Sequence, residues 1–549
     1  MTMKRFLLLI AAIACSTSLF AQEDKPDLLY FAQEKHGLGQ MEEALELVNE
    51  HLNNSPDHCE ALATRATIYV SLGQNDKALE DVNKALALWK AEDPIYRSLL
   101  HWWRADIYKQ MGMRKAAIED YTKANELCIE EGNEWEQPMI QLDMAKLYAQ
   151  FDAPKSELIV QQLLDKDPSF GEARLLQAQN MIAKGAKQEA KEQLDRYITE
   201  GVDNPEAYLM RMNIHQAEGQ KEAAIDDAIS YMFELFGQEN TDLDPALELM
   251  KQLPDYTIAQ LDKRVAQLAD KSGYEAMILT IIKGDFCHTT GYARQEIEAL
   301  DALEKEMGES YDIYIWRGVA YHNLGDLEAA LGNILKAEAH IPEQSRAYYL
   351  QELGLIYTDM GRYNKALECF DEALELKPEF VQVYYQRGFV FELMGNDAKA
   401  MENYNAGIAI DQTYPQIYLM RAEQYLKQGK AELAKADFEH ILTIDNHPKY
   451  SCRHYALYFL GDEQGAIEWI DKVIANNHQW GGVYYDKACL YGRMGRADEA
   501  LEALEAALER GFRAFAHIEN DDDMDPIRNT AKFKKLLKKY KRRTNNKTT

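Results

Sequence analysis

Small and apolar residues recur along this chain at two nested spacings. Within short stretches they repeat every three to four residues, as one face of a helix requires. Across the chain the same set of positions returns about every 34 residues. The clearest copy runs from Arg346 to Glu379, and Gly354, Tyr357, Gly361, Ala366, Phe370, Ala373 and Pro378 carry it. Small residues let two antiparallel helices approach closely, an aromatic ring fills the gap, and a proline stops the second helix. One alanine of the unit can be followed through the sequence: Ala44, Ala78, Ala117, Ala190, Ala224, Ala330, Ala366, Ala400, Ala434, Ala466 and Ala500. Glu157, Ala259 and Glu296 are read as its counterparts in the weaker copies. The aromatic, glycine and alanine move together, as in Tyr69-Gly73-Ala78 and Tyr491-Gly495-Ala500. The prediction is an all-α chain of about fourteen helical hairpins.

The Arg346–Glu379 unit resembles the tetratricopeptide repeat, whose period is 34 residues. The resemblance extends over nearly the whole chain and implies an α-α superhelical solenoid with a C-terminal capping helix. It divides the sequence into an N-terminal arm (25–235), a bend of degenerate repeats (236–309), a C-terminal arm (310–510) and a capping element with a basic tail (511–549). In the cap, Phe533, Leu536, Leu537 and Tyr540 fall on one helical face, suited to covering the last open hairpin. The resemblance also implies that first helices line a groove. The groove positions carry Trp102 in the first arm and Tyr348, Tyr385, Phe389, Tyr455, Tyr458, Phe459 and Tyr485 in the second. Among them stand Asp106, Lys109, His322, Asp359, Glu392, Glu423, Lys427 and Arg493. Rings give contact area at little entropic cost, so this face is expected to bind a protein or peptide. A ligand of basic or aromatic character is expected to fit it.

Comparing the copies with one another reveals a second regularity. The seventh residue is Arg65, Arg104, Arg211, Arg317, Arg387 or Arg421, and the twenty-third of the same copies is Asp81, Asp120, Asp227, Asn333, Asn403 or Asp437. Copies with Met144 or Leu353 at the seventh place have Val160 or Cys369 at the twenty-third. An antiparallel hairpin sets the two positions side by side, so they read as structural pairs rather than ligand-binding arginines. Arg453 and Trp469 suggest a cation–π variant.

Charge and the N-terminus set the surroundings. The formal net charge of −30 repels phosphate backbones, so nucleic acid is not an expected partner. Lys4 and Arg5, the apolar run Phe6 to Ala14 and the small residues up to Ala21 have the layout of a secretory signal peptide spanning 1–21, similar to those of the Bacteroidetes. The chain is therefore expected to be exported, with the periplasm as its compartment. Ala12-Ile13-Ala14-Cys15 loosely matches a lipobox, which would anchor Cys15 by lipid to the outer membrane, but simple cleavage fits the sequence better. No later run is long enough to span a bilayer. Of the remaining cysteines, Cys452 and Cys489 lie on neighbouring first helices, where a bridge is conceivable. The others read as buried thiols.

Reactive constellations are missing from the sequence. It has no HExxH, GxSxG or phosphate-binding glycine loop, and its histidines do not pair at metal-ligand spacing. Asp521 to Asp525 lack the glycine and distant glutamate of an EF-hand. The reading is thus a non-catalytic interaction scaffold of the cell envelope without cofactor or metal. The alternative is a glycan-binding outer-membrane lipoprotein resembling the SusD class, which carries a large non-repeat region that has no counterpart here.

Overall fold

The computed structural model describes residues 28–201, 204–238, 242–268, 273–448, 451–476 and 479–545. The proposed signal peptide and Cys15 lie outside them. The described residues form α-helices and short 3-10 turns, without strands. The described residues pack as two compact units, one ending at Glu218 and the other beginning at Gly219.

Each unit is a stack of helical hairpins. The first contains pairs such as Cys59–Ser71 with Asn75–Leu88 and Arg97–Gln110 with Arg114–Glu130. In the second, Arg346–Asp359 pairs with Tyr363–Leu376, Val381–Leu393 with Asp397–Ile410, Pro415–Lys427 with Ala431–Ile444, Arg453–Phe459 with Glu463–Asn476, and Gly481–Arg493 with Ala497–Glu509. The 236–309 stretch keeps its helices, among them Pro254–Leu268, Gly273–Thr290 and Ala293–Met307.

The small positions do what the pattern requires. A Cβ on Gly354 would run into the Phe370 ring, and one on Gly388 into the Tyr404 ring. Here the first helix lies directly on the aromatic residue of the second. Gly361, at φ 70°, makes the turn between them, and the Arg362 N–H closes on the Tyr357 carbonyl at 2.8 Å, a Schellman-type stop.

Two of the weak copies are registered one or two residues away from expectation. The repeat alanine sits three residues after the start of its helix, as Ala366 and Ala500 do. In Ala153–Lys166 that slot is Ser156, fully buried, whereas Glu157 turns outward to Lys184. In Pro254–Leu268 it is Thr257, also fully buried, and Ala259 is exposed. Both helices have a proline in their first turn and no turn glycine, which shifts the start of the helix against the period. Glu296 does occupy its slot, buried and bonded to His288 Nδ1 at 2.9 Å.

Arg65, Arg387 and Arg421, at the seventh position, each bond to two other helices. Arg65 donates from Nε and Nη2 to the two Asp81 oxygens at 2.7 Å, and Arg421 does the same to Asp437 at 2.8 and 2.7 Å. The remaining Nη1 reaches back to the second helix of the preceding hairpin, to Asn49 from Arg65 at 2.8 Å and to Asn405 from Arg421 at 3.0 Å. Arg387 likewise joins Asn403 at 2.8 Å and Asp371 at 2.6 Å. Arg317 uses only the backward reach, to Asp301 at 3.2 Å and Glu304 at 2.6 Å, while Asn333 turns to the Ala329 carbonyl. Arg211 donates to Asp195 at 2.7 Å, and Asp227 is buried in the following unit. The backward acceptor was not expected from the sequence. It makes the arginine a tie between repeats as well as within one.

At the C-terminus, Phe533, Leu536, Leu537 and Tyr540 of the helix Ala531–Asn545 bury against Leu504 and Leu508 of the last hairpin. All six described cysteines are free and buried, Cys452 and Cys489 included.

Candidate functional site

Six of the predicted groove residues gather at the C-terminal end of the second unit. Arg493 stands at the centre. Its guanidinium lies over the Tyr455 and Phe459 rings at 5.3 and 4.9 Å, and its carbonyl accepts from the Tyr458 hydroxyl at 2.9 Å. Tyr455 donates to the Asp486 carbonyl at 3.3 Å. Phe459 also stacks on Phe438 of the neighbouring hairpin, with ring centres 4.6 Å apart. Tyr385 packs edge-on against Tyr414 at 5.9 Å, and Phe389 and Tyr485 both face His517.

Two predicted residues lie elsewhere. Tyr348 is 48% exposed, packs edge-on against Phe380 and accepts a 2.7 Å hydrogen bond from Lys377. Trp102, in the first unit, is only 7% exposed and donates from its indole to Asp143 at 3.0 Å. It belongs to a polar network in which Asp106 accepts from the Tyr121 hydroxyl at 2.5 Å and pairs with Lys109, and burial raises the Asp143 carboxyl.

Charges cross from repeat to repeat along the second groove. Lys427 pairs with Glu392 at 2.5 Å and His322 with Asp359 at 2.6 Å. Arg493 pairs with Glu423 and Asp523, each at 2.7 Å. Carboxylates outnumber the guanidinium here. Burial pushes Asp486 up to about 7 and Asp523 up to about 6, in the latter case against the pull of Arg493, and it raises Glu423 as well.

The acid on Arg493 comes from the capping element, which the sequence did not assign to the groove. Phe512 stacks on Tyr485 with centres 4.4 Å apart, and the Tyr485 hydroxyl donates to Asp521 at 2.6 Å. His517 reaches across to Phe389 at 6.2 Å, and Asp523 meets Arg493. Gly511 and Arg513 lie against the turn at Asn323, Leu324 and Gly325. Residues 511–523 thus run along the groove face. One sequence signal could have revealed this. Gly492 stands where other copies have His322, Thr358, Glu392 or Tyr458, and a Cβ there would strike the Asp523 carbonyl.

The Cys489 thiol and the Asp521 and Asp523 carboxylates lie within 4.8 Å of one another. Tyr485 and Arg493 already donate to the two carboxylates, and the thiol approaches Asp521 at 3.6 Å, so protein groups account for this cluster. No helix among the described residues is long and apolar enough to cross a membrane.

Family models described as tetratricopeptide repeat match residues 60–88, 100–128, 381–414, 415–448 and 481–510, and a TPR repeat model matches 354–395. The chain is 36% identical over 76 residues to the photosystem I assembly protein Ycf3 of Acaryochloris marina, and 33% identical over 83 residues to a chloroplastic protein of Arabidopsis thaliana. Those matches span 14% and 15% of this chain and 46% and 25% of the two relatives. The chain thus spans less than half the length of either. Similar solved structures include yeast Tom70 (15% identity, 80% of this chain and 99% of that one, TM-score 0.35) and the Cut9–Hcn1 tetramer of the APC/C (13%, 97% and 98%, 0.32). Another is MamA (22%, 29% and 92%, 0.26). The repeat models thus fall on helical hairpins of both units, and the hairpins they match are tetratricopeptide repeats.

Proposed function

We propose that the chain is a non-catalytic interaction scaffold that holds a segment of another protein, extended or helical, in the groove of its second unit. One observation carries this reading: the groove face already holds polypeptide, residues 511–523, by ring stacking on Tyr485 and by the Arg493–Asp523 pair. Rings from successive first helices supply contact area, and the charged residues between them set register. The tetratricopeptide repeats support the same reading. The signal-like N-terminus supports export, with the cell envelope as the setting.

The test is retention of a partner from an envelope extract by the full chain. Tyr348, a predicted groove residue, and Trp316, on the first helix of the preceding hairpin, are 48% and 41% exposed rings away from the Arg493 cluster. Tyr348→Ala with Trp316→Ala is expected to lose a partner that wild type and Asp57→Ala both keep. Equal retention by all three would refute binding at this face.

A further inference from the structure

The segment on the groove has two kinds of side chain. Ile518, Met524 and Ile527 are fully buried in the apolar cluster of the last hairpin and cap. Phe512, His517, Asp521 and Asp523 instead meet the groove residues Tyr485, Phe389 and Arg493. A segment serving only as a cap needs the first set. The second set makes the contacts that a bound peptide would make.

These polar contacts are also poorly balanced. Glu423 and Asp523 share one guanidinium, Asp486 and Asp521 lie close by, and burial disfavours charge on Asp486 and Asp523. Asp521 and Asp523 make the bonds that hold the segment, and charge on Asp486 opposes that hold at neutral pH. If the segment leaves, Arg493 keeps Glu423 on one side and presents its other N–H groups to the groove, beside a free Tyr485 hydroxyl.

We propose that residues 512–525 are a built-in occupant of this groove, displaced by a partner segment of the same chemistry: an aromatic residue followed by two carboxylates spaced Asp-x-Asp. The proposal rests on the reading of this face as a peptide groove, and it replaces the expected basic ligand with an acidic one at the Arg493 end. The chain therefore competes with its own partner, and binding requires release of the segment.

The probe is a fluorescent synthetic peptide with the sequence of residues 512–525, added to the full chain. Asp521→Ala/Asp523→Ala is expected to bind it at least tenfold more tightly than wild type, and adding Arg493→Gln to that variant is expected to remove the gain. Hydrogen exchange on the same variant is expected to show loss of protection at 512–525 with 481–509 still protected. Binding no tighter than wild type overturns the proposal. So does joint loss of protection in both regions, which makes the segment a cap alone. Dimerisation without peptide uptake also overturns it, because a second copy then fills the groove. Failure here with retention of a partner through Tyr348 and Trp316 leaves the scaffold reading standing.

Discussion

Arg104 grips both oxygens of Asp120, from Nε at 2.6 Å and Nη2 at 2.7 Å, and its Nη1 reaches Asn83 of the preceding hairpin at 2.7 Å. His101 adds a third contact to the same carboxylate, at 2.8 Å. Burial acts to raise the Asp120 carboxyl, but the hydrogen bonds from Arg104 and His101 prevail and hold it below the usual range. Asp120→Ala leaves a half-buried guanidinium without its main partner, which costs about 2 to 3 kcal/mol. Asp57 forms an exposed pair with Lys84, and Asp57→Ala is expected to cost less than about 0.5 kcal/mol. Thermal melts of the two variants check the contrast. A depressed carboxyl stabilises above its unfolded pKa, so the Asp120 contribution is expected to fade as pH drops below the ordinary carboxylate range.

His454 stands where other hairpins have Gly354, Gly388, Ala422 or Ala488. It is 0% exposed, neither ring nitrogen has a hydrogen-bond partner, and burial followed by the charge of Arg493 pushes it down to about 3. The unfolded chain takes up a proton near 6.5 and the folded chain does not, so stability falls as pH falls below 6.5. Between pH 7.5 and 5 this amounts to about 2 kcal/mol. His454→Ala is expected to lose that slope. Urea unfolding of both chains at the two pH values gives the double difference.

Asp486 and Asp523 act in the opposite direction. Their folded pKa values, about 7 and about 6, lie above the ordinary carboxyl value, so their contribution is fully present in acid and lost as pH rises through 6 to 7. The groups around them are Arg493, Glu423, Tyr455, Asp521 and the imidazole of His517. Hydrogen-exchange protection of residues 512–525, corrected for the intrinsic rate, is expected to be higher at pH 5.5 than at pH 8. Asp486→Asn is expected to flatten that dependence.

Two glycines of one helix, Gly482 and Gly492, should respond oppositely to alanine. Gly482 has open space where a Cβ would go, so Gly482→Ala is expected to stabilise the last hairpin by about 0.5 to 1 kcal/mol through helix propensity. At Gly492 the Cβ meets the Asp523 carbonyl, a backbone atom that cannot swing aside. Gly492→Ala is expected to expose residues 512–525 to exchange while leaving the helix Gly481–Arg493 intact.

The hairpins were legible because their constraint is local and repeated. A ring on Phe370 needs Gly354 across from it, and the pairing recurs at Gly388 with Tyr404. Comparison of copies also pointed to Arg104 with Asp120 and Arg421 with Asp437, since both members change together. Ser156 and Thr257 were misplaced because a proline start without a turn glycine moves the register and leaves the period as a poor guide. The groove occupant was illegible for a different reason. Residues 512–523 occur once, so no second copy exists for comparison, and their contacts with Phe389 and the turn at Gly325 span more than a hundred residues. The shape of Gly492 was the one trace, and a lone glycine in a helix has many explanations.

The arginine tie also determines where the array can part. Where the seventh residue is Met144, Gln177 or Leu353, that position has no guanidinium to join one hairpin to the next. Such junctions lack the Nη1 bond that elsewhere reaches back to the preceding hairpin, as from Arg65 to Asn49. They act as joints between stiffer blocks, so that a pull on the chain, or a partner wedged into it, opens the stack there first.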